Sequence, residues 1–464
     1  MQAVSITKSL IFYSAISSGM PFDIIIGRNE ADRKKFGDKG VIFLGRSYVR
    51  MGRTVSLSNN LYMDMIRSHV VYVAGKRGSG KSYSLGVIAE GMADLPPEIR
   101  SNIAVVMLDT MGIYWTMKQK NEKDADLLNA WNLEPKALDI KIFTPFGFFN
   151  EYKEKGIPTD YPFSIKPTEL NAEDWALTFG ITTSDPVGVL IEKTIGDLKE
   201  SGKVGYSIDD MIASIKKDDS FEQYTRNEAM NRLKTAQRWG LFNDEGTEIN
   251  VLIKGGQVTV LDVSCYATGE GGWGVKNLVM GLISKKLFIE RMISRKEEEL
   301  EDISVGYSYF QVEAEEKSEL RKPLVWLVID EAHECLPRVG KTAATDALVT
   351  ILREGRQPGI SLILATQQPG KIHDDVTTQA DIVISHRITA KADVEALNSM
   401  TQSYLEATIT GYLNNLPSEK GAALILDDNS ERIYPMRVRP RFSWHGGEAP
   451  SALHVKRSME LGLG

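Results

Sequence analysis

Cysteine is almost absent: Cys265 and Cys335 are the two in 464 residues. Each stands in or beside a predicted buried strand and reads as a small core side chain. Two such thiols exclude a disulfide framework and a multi-cysteine metal site, and a reducing, cytoplasmic setting is expected. Long apolar runs are lacking as well. The longest are about strand length, far short of the roughly 20 residues a membrane helix needs, so no membrane segment is expected. The first stretch, MQAVSITKSLIFYSAISSGM, holds one Lys and an apolar run broken by Ser and Tyr, with no A-x-A pattern close behind. It does not read as a signal peptide. Excess positive charge is missing too: 55 Lys plus Arg stand against 62 Asp plus Glu, a net charge of −7. That excludes a protein that coats nucleic acid with its whole surface. A local basic channel stays open, because a charge is felt over roughly 8–10 Å at moderate salt. No internal repeats are visible.

What is present is an ordinary globular composition, 42% hydrophobic and 25% charged, on a chain long enough for several domains or one core with large insertions. GVIFLGRSYVRMGRTVSLS (40–58) alternates, and residues 1–65 read as a short N-terminal β element. From there the pattern changes to near-continuous apolar strands: HVVYVAG, SNIAVVMLDTMGIYW (101–115), ALDIKIFTPFG (137–147), QVTVLDVSCY (257–266), PLVWLVIDEAH, GISLILATQQP, ADIVISHRI and GAALILDD. Such runs predict a mostly parallel sheet covered on both faces. Between about 170 and 245 apolar residues recur at three and four, which predicts a helical insertion. The acidic stretch at about 295–322 reads as a solvated helix end and a mobile loop. RIYPMRVRPRFSWHGGEAP reads as a segment wrapping over a surface. The main body is expected over 66–445 and a tail over 446–464.

GKRGSGKS (75–82) matches G-x-x-x-x-G-K-[ST] between a strand and a helix, the context that gives this pattern meaning. Gly78 and Gly80 let the backbone curl so that successive N–H groups face phosphate oxygens, and the helix beginning near Lys81 adds its positive end. The loop residues Gly75, Lys76, Arg77, Gly78, Ser79, Gly80, Lys81, Ser82 and Tyr83 are the candidate ATP contacts. Lys81 would reach the β- and γ-phosphates and Ser82 would offer its hydroxyl to Mg²⁺. The second motif is LVIDEAHECLP (327–337). Two adjacent carboxylates after a buried strand are costly as mere structure. Asp330 is the expected Mg²⁺ ligand and Glu331 the expected base that orients the attacking water.

The letters DEAH also occur in two-lobed helicases, but the spacing argues otherwise. Lys81 and Asp330 are about 250 residues apart, and the roughly 130 residues after Glu331 leave no room for a second lobe. No Q-x-x-G-R-x-G-R motif follows. With one lobe per chain, the arginine that stabilises the transferring phosphoryl group must come from a neighbouring subunit. LREGRQPGISLILATQQP offers Arg356 and, less favourably, Arg353, either of which can instead pair with Glu354 or face solvent. Gln367, at the end of the strand beside the acidic one, is the candidate γ-phosphate sensor.

Taken together, AGKRGSGKS, VVMLDTMGIYW, LVIDEAHECL, ILREGRQPGISLILATQQP and PMRVRPRF resemble the HerA family of the HerA–FtsK superfamily, over about residues 66–442. The resemblance implies an α/β, RecA-like P-loop ATPase core assembled as a homo-hexamer that moves double-stranded DNA through a central channel. It implies that Lys81 and Ser82 are nucleotide ligands, Glu331 the base, Gln367 the sensor and Arg356 the finger in trans. Arg67 matches a family arginine that contacts nucleotide, at a spacing one residue longer. A NurA-like nuclease or another effector is the implied partner. Two features depart from the family pattern. Ile113 replaces the acid of D-x-x-G-E while Asp109 is kept, and only about 65 residues precede the core where a larger barrel is usual. DNA contacts are sought in basic loops, Arg338 and Lys341 in one and Lys118 and Lys120 in another. The alternative reading is an ATP-binding oligomeric switch that regulates a partner effector without moving DNA.

Overall fold

Runs such as Val70–Ala74, Ile103–Asp109 and Ile360–Thr366 are buried along almost their whole length. Only a strand covered on both faces can hold so many β-branched and aliphatic side chains without a polar alternate. The computed structural model describes residues 23–51, 54–202, 205–267, 272–306, 322–398 and 406–447. It arranges its strands in one thirteen-stranded sheet. In chain order these are β1 (Ile24–Ile26), β2 (Val41–Met51), β3 (Thr54–Asp64), β4 (Val70–Ala74), β5 (Ile103–Asp109), β6 (Ile140–Pro145), β7 (Tyr161–Phe163), β8 (Val258–Asp262), β9 (Leu324–Ile329), β10 (Ile360–Thr366), β11 (Ile382–His386), β12 (Ala422–Asp427) and β13 (Arg432–Val438).

The spatial order is β1-β3-β2-β13-β12-β11-β4-β10-β9-β5-β8-β6-β7. From β11 to β7 every neighbouring pair is parallel. Antiparallel pairing then carries the sheet outward from β11 through β12 and β13 to the β2–β3 ribbon. The N-terminal strands therefore continue the main sheet, joined to it by Met436↔Ser47, Arg437↔Arg46 and Val438↔Gly45. At Gly45 an added Cβ would lie 2.1 Å from the Arg437 carbonyl, so this junction requires glycine.

Alternation along each strand divides the core into two layers. Val71 and Val73 of β4 face the helix Lys81–Ala93 together with Val328, Ile363 and Ala365. Tyr72 and Ala74 face the other way, into a larger layer with Val325, Leu327 and Leu364. That layer is roofed by the helices Ala172–Phe179, Pro186–Glu200, Ile208–Lys217 and Gln223–Gln237, and by the long helix Gly272–Gly306 and the helix Thr345–Glu354. Asn171 and Ser207 start two of these helices with reciprocal capping boxes to Asp174 and Asp210. The charged stretch read as a solvated helix end is helical up to Gly306, and its continuation, 307–321, lies outside the described residues. No helix among the described residues is long and apolar enough to cross a membrane.

The expectation that RIYPMRVRPRF wraps over a surface is corrected. Arg432–Val438 is strand β13 inside the sheet, and Arg439 and Arg441 are almost fully buried. The reason is Glu90, a lone carboxylate on the apolar helix Lys81–Ala93. Arg439 Nη1 donates to Glu90 Oε2 and Arg441 Nε to Oε1, each at 2.9 Å. Phe442 N, Ser443 N and the Ser443 hydroxyl complete the shell at 3.0, 3.1 and 2.6 Å. The two guanidinium groups hold the Glu90 carboxyl below the usual carboxylate range despite its burial.

Candidate functional site

Parallel strands send their C-terminal ends to one edge of the sheet, and in open α/β sheets that edge carries ligand sites. Four of these ends meet here. β4 runs into the glycine loop, β10 into Thr366-Gln367, β9 into Asp330-Glu331 and β5 into Asp109. Because β10 lies between β4 and β9, Gln367 emerges between the loop and the acidic pair.

The loop turns through Gly78 and Gly80, whose φ values of 73° and 114° are open to glycine and strained for other residues. Gly75 is required by contact instead: an added Cβ would lie 2.7 Å from the His386 Cβ of the neighbouring strand. Lys81 opens the following helix, is buried, and turns its Nζ to the Lys76 carbonyl at 3.3 Å. Burial lowers its pKa, with Glu331 and Asp330 opposing that shift. The next residue, Ser82, donates from Oγ to Asp330 Oδ2 at 2.6 Å. Tyr114 approaches the same oxygen at 3.4 Å. A serine hydroxyl and a carboxylate in direct contact form a hard-oxygen donor pair that suits Mg²⁺. Tyr83 faces away from the loop. Its hydroxyl accepts the Arg441 N–H at 2.7 Å, so it belongs to the Glu90 cluster.

Glu331 is held in an unusual backbone and electrostatic setting. Its φ of 55° is left-handed, a conformation that a non-glycine residue holds only when its surroundings enforce it. Burial and the adjacent Asp330 push its pKa up to about 7, against Lys81 and the Gln367 N–H. Ser79 Oγ and Glu331 Oε2 are both buried without a hydrogen-bond partner. Orphaned polar atoms of this kind at a loop and an acidic strand fit a polar ligand. Asp109 is spent differently. It accepts the backbone N–H groups of Met111, Gly112 and Tyr114 at 3.2, 2.7 and 2.8 Å, and burial beside Asp262 raises its pKa to about 7. It therefore braces the turn that presents Tyr114.

The arginine candidates lie at the opposite edge. Arg356 precedes β10 and Arg67 precedes β4, so each is a full strand length, roughly 15–20 Å, from its own chain's loop. Arg67 pairs with Asp32 at 2.7 Å. Arg353 pairs with Asp375 at 2.7 Å and not with Glu354. Arg356 is exposed and, among the described residues, has no ion-pair partner. The basic loops differ from expectation. Lys341 is held by both Glu173 and Asp346 at 3.1 and 2.5 Å, Arg338 by Asp374 at 3.1 Å and Lys118 by Asp160 at 2.6 Å. Lys120 is exposed and bridges by its backbone to Ser443.

Two histidines near the site escaped the sequence reading. His333 joins the acidic motif to β10: its Nδ1 is 2.9 Å from Thr366 Oγ1 and its Nε2 3.0 Å from Gln368 Nε2. Its Nε2 also lies 3.3 Å from Glu334 Oε1, and burial lowers its pKa. His386 of β11 sits beneath the loop helix, 2.9 Å from Ser84 Oγ and 3.2 Å from the Ala422 carbonyl. Burial lowers its pKa to about 4. Both residues were visible as lone histidines next to buried strands, a signal too weak to separate them from core residues.

A glycine-rich phosphate loop on a parallel sheet, facing an acidic strand one position removed from the loop strand, defines a RecA-like P-loop ATPase. Within that class the chain belongs to the family of the HerA helicase central domain, which matches residues 49–287, just over half of its length. The DNA double-strand break repair helicase HerA of Pyrococcus furiosus is 27% identical over 142 residues, 30% of this chain and 26% of that protein. The probable DNA double-strand break repair helicase HerA of Methanocaldococcus jannaschii is 30% identical over 122 residues, 25% of this chain and 24% of that protein. The matched stretch thus spans about a quarter of the length of these curated relatives. Among solved structures, VirB4 of Thermoanaerobacter pseudethanolicus superposes with a TM-score of 0.52 at 13% identity, over 86% of this chain and 96% of that one. That likeness is one of fold.

Proposed function

We propose that this chain hydrolyses ATP at the loop Gly75–Tyr83 and uses the energy, as a homo-hexamer, to move double-stranded DNA. The observation that carries the hydrolytic part is the junction of Ser82, Asp330 and Glu331: one hydrogen bond at 2.6 Å ties the loop helix to the acidic strand, and the next residue is a half-buried carboxyl with its pKa raised to about 7. A base with a pKa near the working pH is suited to accept or share a proton from an attacking water. In this reading Lys81 and the loop N–H groups bind the phosphates, and Glu331 orients the water. Gln367, whose backbone is tied to Glu331, reports the γ-phosphate to β10. Ser82 and Asp330 would hold Mg²⁺, which when bound neutralises charge on the phosphate oxygens. Arg67 and Arg356 lie on the edge opposite their own loop, so they can serve only the loop of a neighbouring copy. That placement supports a ring in which each site is completed in trans.

DNA as the substrate rests on family membership and on the printed names of the relatives. One observation favours the second reading, an ATP-dependent switch acting on a partner effector: three of the four candidate DNA-contacting cations are already paired with carboxylates. Comparing steady-state ATP turnover with and without linear duplex DNA separates the two. Stimulation by duplex supports translocation; a rate indifferent to duplex at every salt concentration leaves the switch.

A further inference from the structure

Glu331 and Gln367 stand on neighbouring strands, and each would face the same γ-phosphate. β9 and β10 are paired up to Ile329 and Leu364, and two residues further on the two strands reach Glu331 and Thr366. There the chain after β9 leaves its extended path. Glu331 takes its left-handed φ of 55°, and the short helix Ala332–Glu334 folds His333 back against the end of β10. The His333 ring is buried. Its Nδ1 faces two oxygens, Thr366 Oγ1 at 2.9 Å and Glu331 Oε2 at 3.5 Å. The first distance is that of a hydrogen bond; the second is longer than such a bond ordinarily is. Glu331 Oε2 accordingly has no hydrogen-bond partner among the described residues. The Thr366 hydroxyl also accepts the Gln368 N–H at 3.0 Å, and so fixes the turn on which Gln367 sits. On the far side of the ring, Nε2 meets Gln368 Nε2 at 3.0 Å and Glu334 Oε1 at 3.3 Å.

We infer, on the basis of the hydrolysis proposed above, that His333 is a positioning residue: through its Nδ1 side it ties the place of the Glu331 carboxylate to the sensor turn of β10. A buried ring wedged between two functional groups cannot move independently of them, because close-packed interiors transmit displacement. The gap to Glu331 Oε2 is about half an ångström longer than a hydrogen bond, so a small shift of the turn closes it. Movement of Gln367 towards a γ-phosphate carries Thr366 and Gln368 with it, and through them the ring. With the gap closed, one carboxylate oxygen is fixed by Nδ1 and the other is left to orient the water. Displacing a base by about 1 Å costs rate, since attack geometry is that sensitive. ATP affinity is set elsewhere, by Lys81 and the loop N–H groups on β4 and its helix. Loss of a positioning residue therefore lowers kcat and spares KM, whereas loss of a merely structural one lowers stability and affinity together with rate.

The test measures kcat, KM and binding of a fluorescent ATP analogue in the full chain, with guanidinium unfolding as the control for folding. In His333→Ala, kcat should fall at least tenfold, with KM and analogue affinity within twofold of wild type. An asparagine amide can stand where Nδ1 does, and a glutamine amide where Nε2 does. His333→Asn should therefore recover most of the lost kcat, and His333→Gln should not. The tie to the sensor is read in a double-mutant cycle: His333→Ala added to Gln367→Ala should lower kcat less than threefold further. Wild-type kcat in His333→Ala, a rise in KM matching the fall in kcat, equal rescue by Asn and Gln, or full additivity in the cycle overturns the inference. If His333→Ala does not fold, the comparison of Asn with Gln decides. Glu331→Gln is measured alongside. Impaired turnover there, with His333→Ala at the wild-type rate, sinks the role of His333 and leaves hydrolysis at the loop standing. Unimpaired turnover in Glu331→Gln removes the assignment of the base, and the role of His333 with it.

Discussion

Arg441 donates from Nε to Glu90 Oε1 at 2.9 Å, and both side chains are sealed from solvent. The pair fastens the segment after β13 to the helix that carries Lys81 and Ser82. Removing one member of a buried charge cluster leaves the others uncompensated, at a cost of about 3–5 kcal/mol. Glu90→Gln strands two buried guanidinium groups and should lower the unfolding free energy by that amount in guanidinium titrations. A loss below about 1 kcal/mol would mean that the cluster does not hold the segment in place.

A second buried cluster gives stability a pH dependence. His69 stands between Asp381, 2.6 Å from Nδ1, and Asp64, 3.2 Å from Nε2, with Arg28 on the far side of Asp64. Burial lowers its pKa, but the two carboxylates outweigh burial and raise it from 6.5 to about 9. The folded state therefore holds a proton that the unfolded chain releases near pH 6.5. The stabilisation is complete below pH 6.5, falls as pH rises to about 9, and is absent above. Its size is up to about 3 kcal/mol. In urea titrations, wild type should exceed His69→Gln most at pH 6.5, and the difference should shrink towards pH 9. A constant difference across that range would show that His69 is not charged in the folded protein.

The strands, the glycine loop and the acidic motif were legible because each has a local cause: unbroken β-branched runs, a strand–glycine–helix context, and two carboxylates after an apolar strand. The Glu90 cluster was not, since its members lie about 350 residues apart. The lone acid in KSYSLGVIAEGMA was the available sign, because a carboxylate on an otherwise apolar helix requires a partner from elsewhere. The pairing of Lys341, Arg338 and Lys118 was equally hidden: Glu173, Asp374 and Asp160 become neighbours only when the insertion and the strand ends are folded together.

Glu331→Gln keeps the shape of the site and removes the group that orients water. ATP binding should persist while turnover falls by about 10²-fold or more. Equilibrium binding of a fluorescent ATP analogue and single-turnover hydrolysis measure the two separately. Lost binding would place Glu331 in structure and leave the base unidentified.

Charge reversal tests the DNA contacts. Arg338→Glu with Lys341→Glu sets new acids beside Asp374, Glu173 and Asp346, so local potential changes more than the substitutions alone suggest. Duplex affinity and DNA-stimulated turnover should collapse, and basal turnover should survive because Lys81 and Glu331 are untouched. Wild-type affinity should weaken steeply with salt, as counterion release requires. Unchanged duplex affinity in the reversed variant would move the contact elsewhere, with Lys120 the exposed candidate.

Arg356 and Glu331 lie on opposite edges of one sheet, so no single chain can bring them to the same ATP. If Arg356 completes a neighbour's site, Arg356→Ala should remove most turnover, a term worth about 10³–10⁵ in related phosphoryl-transfer enzymes. ATP binding should remain, because the loop and Lys81 are unaltered. Arg353→Ala should do far less, since Arg353 is already committed to Asp375. The decisive measurement mixes subunits. Arg356→Ala and Glu331→Gln assemblies should each retain only a small fraction of wild-type turnover alone, yet a mixed assembly contains interfaces that pair an intact base with an intact arginine. Turnover should therefore reappear on mixing and peak at an intermediate ratio. Mixed assemblies shown by mass spectrometry to form, but inactive at every ratio, would count against a site shared between neighbours. Full activity of Arg356→Ala by itself would remove this residue from catalysis and direct attention to Arg67, which stands on the same edge.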